Sequence, residues 1–215
     1  KKKEIIKKYF YNDKFYKSLI KKKNDPRLIK EYKKILFYKK KIKFVYQNKP
    51  LGTGDAVFKA KKFIKDKYFL LLLPDDLIIK KNCSKEMIKV HKKYEAAVMA
   101  SLKVKRNNVD RWGIYSISKT LDKSNFKISD VIEKPDSNNA PSTNAVIGRY
   151  ILNKDIFKYL KNQKKGKGGE IHITDAIRKM ISKNNLFIGH KFSGKYLDCG
   201  TMRGYINSGI QISKL

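Results

Sequence analysis

The stretch that most constrains this chain runs from Val45 to Ile79. Within it, Tyr68–Leu73 (YFLLLL) is an unbroken apolar run, closed by Pro74 and followed at once by Asp75 and Asp76. A run this short, stopped by a residue that cannot donate to a sheet ladder, reads as a strand buried on both faces, as in a parallel sheet covered by helices. In open α/β sheets, ligands lie in the crevice at the carboxyl ends of strands. Carboxylates at that end are placed to hold a metal ion against a phosphate; the local alternative is that Asp75 caps the next turn. Upstream, Gly52 and Gly54 precede a helix expected over Asp55–Ile64. Glycines there let backbone N–H groups approach a ligand, and a helix N-terminus favours anions, although a tight turn explains the same residues.

The flanking segments extend the same alternation. A helix is expected at Ser84–Tyr94 and a strand at Ala96–Val104, which with the first strand and helix predicts a mixed, mostly parallel sheet with right-handed crossovers. Trp112–Thr120 and Phe126–Glu133 read as a hairpin around Leu121–Asn125. Ala145–Leu152 reads as a strand, Asp155–Asn162 as a helix, Gly166–Gly169 as a flexible loop and Ile173–Lys183 as a helix with Thr174 or Asp175 near its start. Leu186–Phe192 and Lys195–Leu197 read as strands, and Thr201 opens a last helix. Ahead of all this, Lys14–Lys41 is lysine-rich and helical, with Phe15, Leu19, Ile20, Leu28, Ile29, Tyr32, Ile35 and Leu36 as apolar positions. Pro26 divides it into two helices, the second capped by Asp25, and Ile42–Tyr46 reads as a strand. At 215 residues the chain suits a single α/β domain with a real core.

Composition narrows the function classes. The formal net charge of +33 suggests nucleic-acid binding. Yet the positive charge is nearly all lysine, spread over every expected helix, and the arginines are only Arg27, Arg106, Arg111, Arg149, Arg178 and Arg203. Base and phosphate readers enlist arginine forks, so the lysines read as solvated faces in a compositionally biased chain. Cys83 and Cys199 are far apart, which suits a reducing cytosol. His91, His172 and His190 are scattered, against a zinc site. No apolar run approaches a membrane span and no signal peptide is visible; a cytoplasmic setting is the expectation. The terminal Ser213–Lys214–Leu215 matches a peroxisomal address and reads as chance.

Several segments together resemble the bacterial UTP–glucose-1-phosphate uridylyltransferases, in the nucleotidyltransferase superfamily with its Rossmann-like nucleotide-diphospho-sugar transferase fold. They are Gln47–Val57 (QNKPLGTGDAV), Leu72–Ile78 (LLPDDLI), Arg111–Ile117 (RWGIYSI), Val131–Leu152, Gly166–Ile177 (GKGGEIHITDAI) and Gly194–Tyr205 (GKYLDCGTMRGY). They are collinear from Lys2 to Tyr205. The family opens with a strand and a Gly-rich loop that cradles the triphosphate, and Lys1–Phe10 instead resembles the helix after them. The expectation is a single domain over residues 1–215, partial at its N-terminus, clipped at its C-terminus and of little activity alone. Thr53 and Asp55 depart from the Leu and His usual in the family.

The resemblance implies roles residue by residue. Gln47 would read the uracil edge, with an amide offering both donor and acceptor, and Gly52 would let the base approach the backbone. Asp75 and Asp198 would hold Mg²⁺, which takes one or two carboxylates and fills its shell with phosphate oxygens and water. Taken alone, Asp198 also reads as the cap of the Thr201 helix. Gly113 would pack under the sugar, and Glu133 and Lys134 would grip glucose 1-phosphate, although Glu133–Lys134–Pro135 taken alone is an ordinary strand end. Asn144 and Glu170 would line the sugar side, and Asp175 reads as a helix cap. Lys134 and Asp75 are the expected catalytic groups. The implied reaction transfers uridylyl from UTP to glucose 1-phosphate, giving UDP-glucose and pyrophosphate, in a homo-oligomer when complete. The alternatives are a related sugar-1-phosphate nucleotidyltransferase with another nucleotide or sugar, a non-catalytic sugar-nucleotide-binding fragment, and a basic nucleic-acid-binding protein.

Overall fold

The computed structural model describes residues 4–215, apart from the side chain of Phe15. Lys1, Lys2 and Lys3, and the place given to Phe15 in the apolar pattern of the first helices, lie outside the described residues. The chain divides into two compact units, one ending at Tyr46 and one running from Gln47 to Leu215.

The first unit holds α1 (Glu4–Tyr11), α2 (Lys14–Lys23) and α3 (Pro26–Lys39). Pro26 divides the lysine-rich region as expected. Asn24 ends α2 in the left-handed conformation, and the Asp25 carboxylate accepts from the Arg27 N–H at 2.8 Å with Pro26 in the first helical turn. The apolar stripe buries Ile35, and the Tyr32 hydroxyl donates to Asp13 at 2.9 Å. The strand expected over Ile42–Tyr46 does not form. A strand needs a ladder partner, and none of the described residues pairs with this segment.

The second unit carries α4 (Thr53–Lys59), β1 (Tyr68–Leu72), β2 (Asp76–Ile79), α5 (Cys83–Tyr94), β3 (Ala97–Lys103), β4 (Gly113–Thr120), β5 (Asn125–Glu133), β6 (Asn144–Asn153), α6 (Ile156–Leu160), α7 (Ile173–Ser182), β7 (Phe187–Lys191), β8 (Lys195–Asp198) and α8 (Met202–Ile212). The expected first helix is shorter than Asp55–Ile64 and finishes as a separate 3₁₀ turn at Lys61–Phe63. Six strands form one sheet in the order β1-β6-β3-β7-β5-β4, with β4 also touching β6. Strands β2 and β8 form a separate antiparallel ribbon in which Asp76 stands opposite Asp198.

The sheet is mixed, as expected, but of its six pairings among the described residues only β3–β7 is parallel. Strands β1, β3 and β7 do share one direction, as the strand–helix alternation requires. The long β6 inserts between β1 and β3 running the other way, and β5 does the same beside β7. Alternation in sequence gives strand direction, not which strand becomes the neighbour. A second correction concerns β1. It lies at the edge of this sheet, with Leu70 and Leu72 exposed by 39% and 48%, so its apolar run is covered on one face only.

Period-two alternation sorts the sheet residues between two helical layers. On one face Met99, Leu152, Ile128 and Phe187 pack with Ile173, Ile177 and Met180 of α7. On the other, Val98, Ala100, Ile147, Ile151 and Ile188 pack with Met87 and Val90 of α5. The Asn82 side chain fixes the start of α5 by accepting from the Lys85 N–H at 3.0 Å, and Thr201 fixes α8 by accepting from Gly204 at 3.1 Å. Among the described residues no helix is long and apolar enough to cross a membrane. These layers leave an opening at one end of the sheet, where the β1–β2 turn, the start of β4, the end of β5 and the β2–β8 ribbon meet.

Candidate active site

That opening is a pocket with a cavity volume of about 510 Å³, a size suited to a small organic ligand. Its walls bring together Asp75, Gly113, Glu133, Lys134, Glu170 and Asp198 from five separate stretches of sequence. Of the residues expected at the site, Gln47, Gly52 and Asn144 are not in its lining.

One wall is acidic. The β2–β8 pairing sets Asp76 against Asp198, and the Cys199 N–H donates to the Asp75 carbonyl at 2.7 Å, tying the two strand ends together. A Cβ placed on Gly200 would lie 3.1 Å from Asp75 Oδ2 and 3.3 Å from Asp198 Oδ1, so both carboxylates border the same small space. Asp75 is exposed and its carboxylate accepts no hydrogen bond among the described residues, so it does not cap the turn. Asp198 does not cap α8 either, because Thr201 does. Instead Asp198 Oδ1 accepts from the Gly200 N–H at 2.9 Å and Oδ2 from Arg111. Two carboxylates, one free and one partly engaged, fit the donor set that Mg²⁺ takes when phosphate oxygens complete its shell. Among the described residues no three His, Cys, Asp or Glu side chains converge into an all-protein metal cage.

Asp76 plays another part. Gly148 donates its N–H to Asp76 Oδ2 at 2.7 Å, and Tyr196 donates its hydroxyl to Oδ1. A Cβ on Gly148 would sit 2.5 Å from that same Oδ2 and from Leu73 Cβ, so only glycine permits the approach. Burial pushes the Asp76 carboxyl above its usual range, against those two hydrogen bonds, and it raises the Tyr196 phenol as well.

The opposite wall is the end of β5. Glu133 is largely buried, with its Oε1 3.9 Å from Nδ1 of His172. The acceptor at His172 Nε2 is the Lys167 carbonyl, 2.7 Å away, which places the ring hydrogen on Nε2. Lys134 adopts φ of 46°, an uncommon conformation for a residue with a side chain. Its N–H donates to the Trp112 carbonyl at 3.0 Å and its carbonyl accepts from Lys167 Nζ, so the strained backbone is held from both sides. The Lys134 ammonium has no partner among the described residues. Tyr150 stands on the pocket floor, 5% exposed, and its hydroxyl also lacks a partner among them. Burial, with Glu133, Asp76 and Asp75 nearby, pushes that phenol upward.

The glycine-bearing turn differs from expectation. Gly54 spends its N–H on the Ile171 carbonyl at 2.8 Å, and Ile171 donates to Leu51 at 2.7 Å, so the turn is zipped to residues beside α7. Gly52 has φ of 111°, and a Cβ there would meet the Ile171 carbonyl at 2.6 Å; that packing alone demands glycine. The Gln47 amide donates to the Gly52 carbonyl at 3.0 Å and to the buried Asp55 at 2.9 Å, leaving only its oxygen for another partner. Thr53 does reach the pocket. Asn144 opens β6 opposite Lys103, and its side chain donates to Ser142. Asp175 lies in the first turn of α7, and His172 holds the cap position.

Arg111, Tyr150, His172 and Tyr196, which line the pocket, and Arg149, which holds the backbone of its β1–β2 turn, were not legible one at a time. Two of them carried a signal. In a chain that uses lysine almost everywhere, arginine persists where its planar fork is needed, and five of the six arginines make side-chain hydrogen bonds in the structure.

The chain has known relatives. The family model for nucleotidyl transferases matches residues 5–214. A UTP–glucose-1-phosphate uridylyltransferase of Komagataeibacter xylinus is 38% identical over 156 residues, covering 71% of this chain and 54% of that protein. Among solved structures, a UDP-glucose pyrophosphorylase without ligand superposes with a TM-score of 0.86 at 32% identity, covering 99% of this chain and 78% of that one. A UDP-glucose pyrophosphorylase complexed with UDP-glucose gives a TM-score of 0.76 at 35% identity, covering 80% and 66%. The chain spans 54–60% of the length of the curated relatives it matches. The collinear motifs, the mixed sheet with its pocket at the strand ends and the match over nearly the whole length agree: the chain belongs to the nucleotidyl transferase family.

Proposed function

We propose that this pocket serves uridylyl transfer from UTP to glucose 1-phosphate, with UDP-glucose and pyrophosphate as products. The observation that carries the reading is the pairing of walls across one cavity. Asp75 and Asp198 meet at the β2–β8 ribbon, and Glu133 and Lys134 face the same space, with the Lys134 ammonium unpartnered among the described residues. The names of the similar proteins point the same way.

In this reading Lys134 neutralises the phosphate of glucose 1-phosphate, and Glu133 accepts from sugar hydroxyls. A phosphate oxygen of the sugar attacks the α-phosphorus of UTP in line. The P–O bond to pyrophosphate breaks, and pyrophosphate leaves with the bonding pair. No protein nucleophile is required, so these side chains act by positioning and charge stabilisation. A Mg²⁺ ion held by Asp75 and Asp198 would supply neutralisation of phosphate charge. Gln47 would face the base through its one remaining acceptor, and Gly113 and Glu170 would border the sugar. A cytoplasmic setting fits the two free thiols, Cys83 and Cys199.

Calorimetric titration of the chain with UDP-glucose, and with dTDP-glucose, GDP-mannose and UDP-galactose as competitors, tests the substrate class. Preferential binding of UDP-glucose, weakened in Lys134→Ala, is the expected result. Equal binding of all four, or no effect of Lys134→Ala, would overturn it.

A further inference from the structure

Arg149 lies on β6 opposite Leu72 of β1. It is half-buried, yet among the described residues it makes no ion pair. Its guanidinium spends its donors on backbone: Nη1 on the carbonyls of Leu73 and Gly148, each at 2.8 Å, and Nη2 on the carbonyl of Asp76. Leu73 and Asp76 are the residues on either side of Pro74–Asp75. One planar fork therefore grips both ends of the turn that carries the Asp75 carboxylate.

The position of Asp75 depends on that turn. Its carboxylate has no hydrogen bond among the described residues, so nothing at the side-chain end orients it. The other restraints are two backbone bonds, Leu73 donating to Gly148 at 2.8 Å and Cys199 donating to the Asp75 carbonyl at 2.7 Å, and the Asp76 carboxylate, which accepts from the Gly148 N–H and the Tyr196 hydroxyl. Each fixes one end of the turn, whereas Arg149 joins both. A lysine at 149 would bring the same charge as a single point and could not span two carbonyls in fixed geometry. The chain supplies lysine at most other cationic positions, and here it keeps arginine.

We propose that Arg149 is a positioning residue for the Asp75 carboxylate, acting through the carbonyls of Leu73 and Asp76 rather than by touching substrate. The inference deepens the metal assignment made above and rests on it. A support of this kind behind a metal ligand typically changes affinity by about 10-fold to 100-fold when removed.

The test is Mn²⁺ binding to the chain, followed by electron paramagnetic resonance, for wild type, Asp75→Asn and Arg149→Lys, with thermal melts of each. The expected result is that both variants bind Mn²⁺ at least about 10-fold more weakly and that Arg149→Lys still melts cooperatively. If Asp75→Asn binds as wild type does, the metal assignment falls and takes this inference with it. If Asp75→Asn is weakened but Arg149→Lys binds as wild type does, the positioning role alone is refuted, and Arg149 is only a packing staple. Should Arg149→Lys fail to fold, side-chain ¹⁵N spectra of the wild type decide. The Arg149 guanidinium signals shift on adding Mg²⁺ and do not shift in Asp75→Asn if the coupling exists; unchanged signals in wild type overturn it.

Discussion

Replacing Lys134 separates binding from stability at a single position. The Lys134 ammonium has no partner in the structure among the described residues, so truncating it to alanine removes no interaction of the folded chain. The backbone, by contrast, sits at φ of 46° and is pinned by Trp112 and Lys167. Alanine keeps that strain and glycine relieves it, so Lys134→Gly should be more stable than Lys134→Ala by about 0.5–1 kcal/mol, the strain relief less the extra entropy of glycine. Binding should follow the other axis. A hydrogen bond to a charged group contributes about 1.5–3 kcal/mol, which is a loss of roughly tenfold to 150-fold in affinity for glucose 1-phosphate. Both variants should lose that amount alike, and affinity for UTP should change far less. Isothermal titration with each ligand, with urea melts alongside, reads both quantities. Equal weakening towards glucose 1-phosphate and UTP would refute the assignment of Lys134 to the sugar phosphate. A glycine variant no more stable than alanine would refute the strain argument.

Four further outcomes follow from the geometry. Asp75→Asn should weaken Mn²⁺ binding at least roughly 10-fold while changing stability by less than about 0.5 kcal/mol, because the carboxylate is exposed and accepts no hydrogen bond among the described residues; a large loss of stability would show a structural role instead. Arg111→Met frees Asp198 Oδ2 and should strengthen Mn²⁺ binding about twofold to fivefold, the equivalent of one exposed ion pair; weaker binding would mean that Arg111 supports the site. Glu86 is held below its ordinary 4.5 because, although burial works upward, donation from Ser193 and His190 outweighs it. Its contribution is therefore complete above about pH 4.5 and is lost as the pH falls through the lowered value. Melting of Glu86→Gln should depend less on pH in that acid range than wild type, and an unchanged slope would remove Glu86 from the account. Phe126, 2% exposed and edge-on to Tyr115 with ring centroids 5.6 Å apart, should lose about 3–5 kcal/mol as alanine in a urea melt; a loss under 1 kcal/mol would contradict its place in the core.

The parts of this molecule that were legible in advance are those written locally. Pro26 with Asp25 marks a helix start, and the Leu121–Asn125 turn marks a hairpin, because capping and turn chemistry act over a few residues. Pro74 with Asp75 marks a strand end for the same reason. What could not be read was neighbourhood. Strand β1 lies at the sheet edge with Leu70 and Leu72 exposed, and the placing of β6 between β1 and β3 and of β5 beside β7 makes the neighbouring pairings antiparallel; nothing within Tyr68–Leu73 says which strand will lie beside it. Ile42–Tyr46 has the β-branched and aromatic residues of a strand but, among the described residues, no ladder partner. The site shows the same division. Asp75, Glu133 and Lys134 stand at strand ends that the pattern marks, whereas Arg149, Tyr196 and Gly148 meet Asp76 across 72–120 residues of sequence. Gln47 was read as a group waiting for a ligand, but its amide hydrogens are spent on the turn that it braces.

The most direct test of the account is a crystal structure of the chain with UDP-glucose and Mg²⁺. The account predicts glucose beside Glu133 and Gly113, the sugar-linked phosphate within hydrogen-bond distance of Lys134 Nζ, and the cation on Asp75 and Asp198. Sugar nucleotide bound elsewhere, or bound in this pocket with Lys134 and both aspartates out of contact, would contradict it.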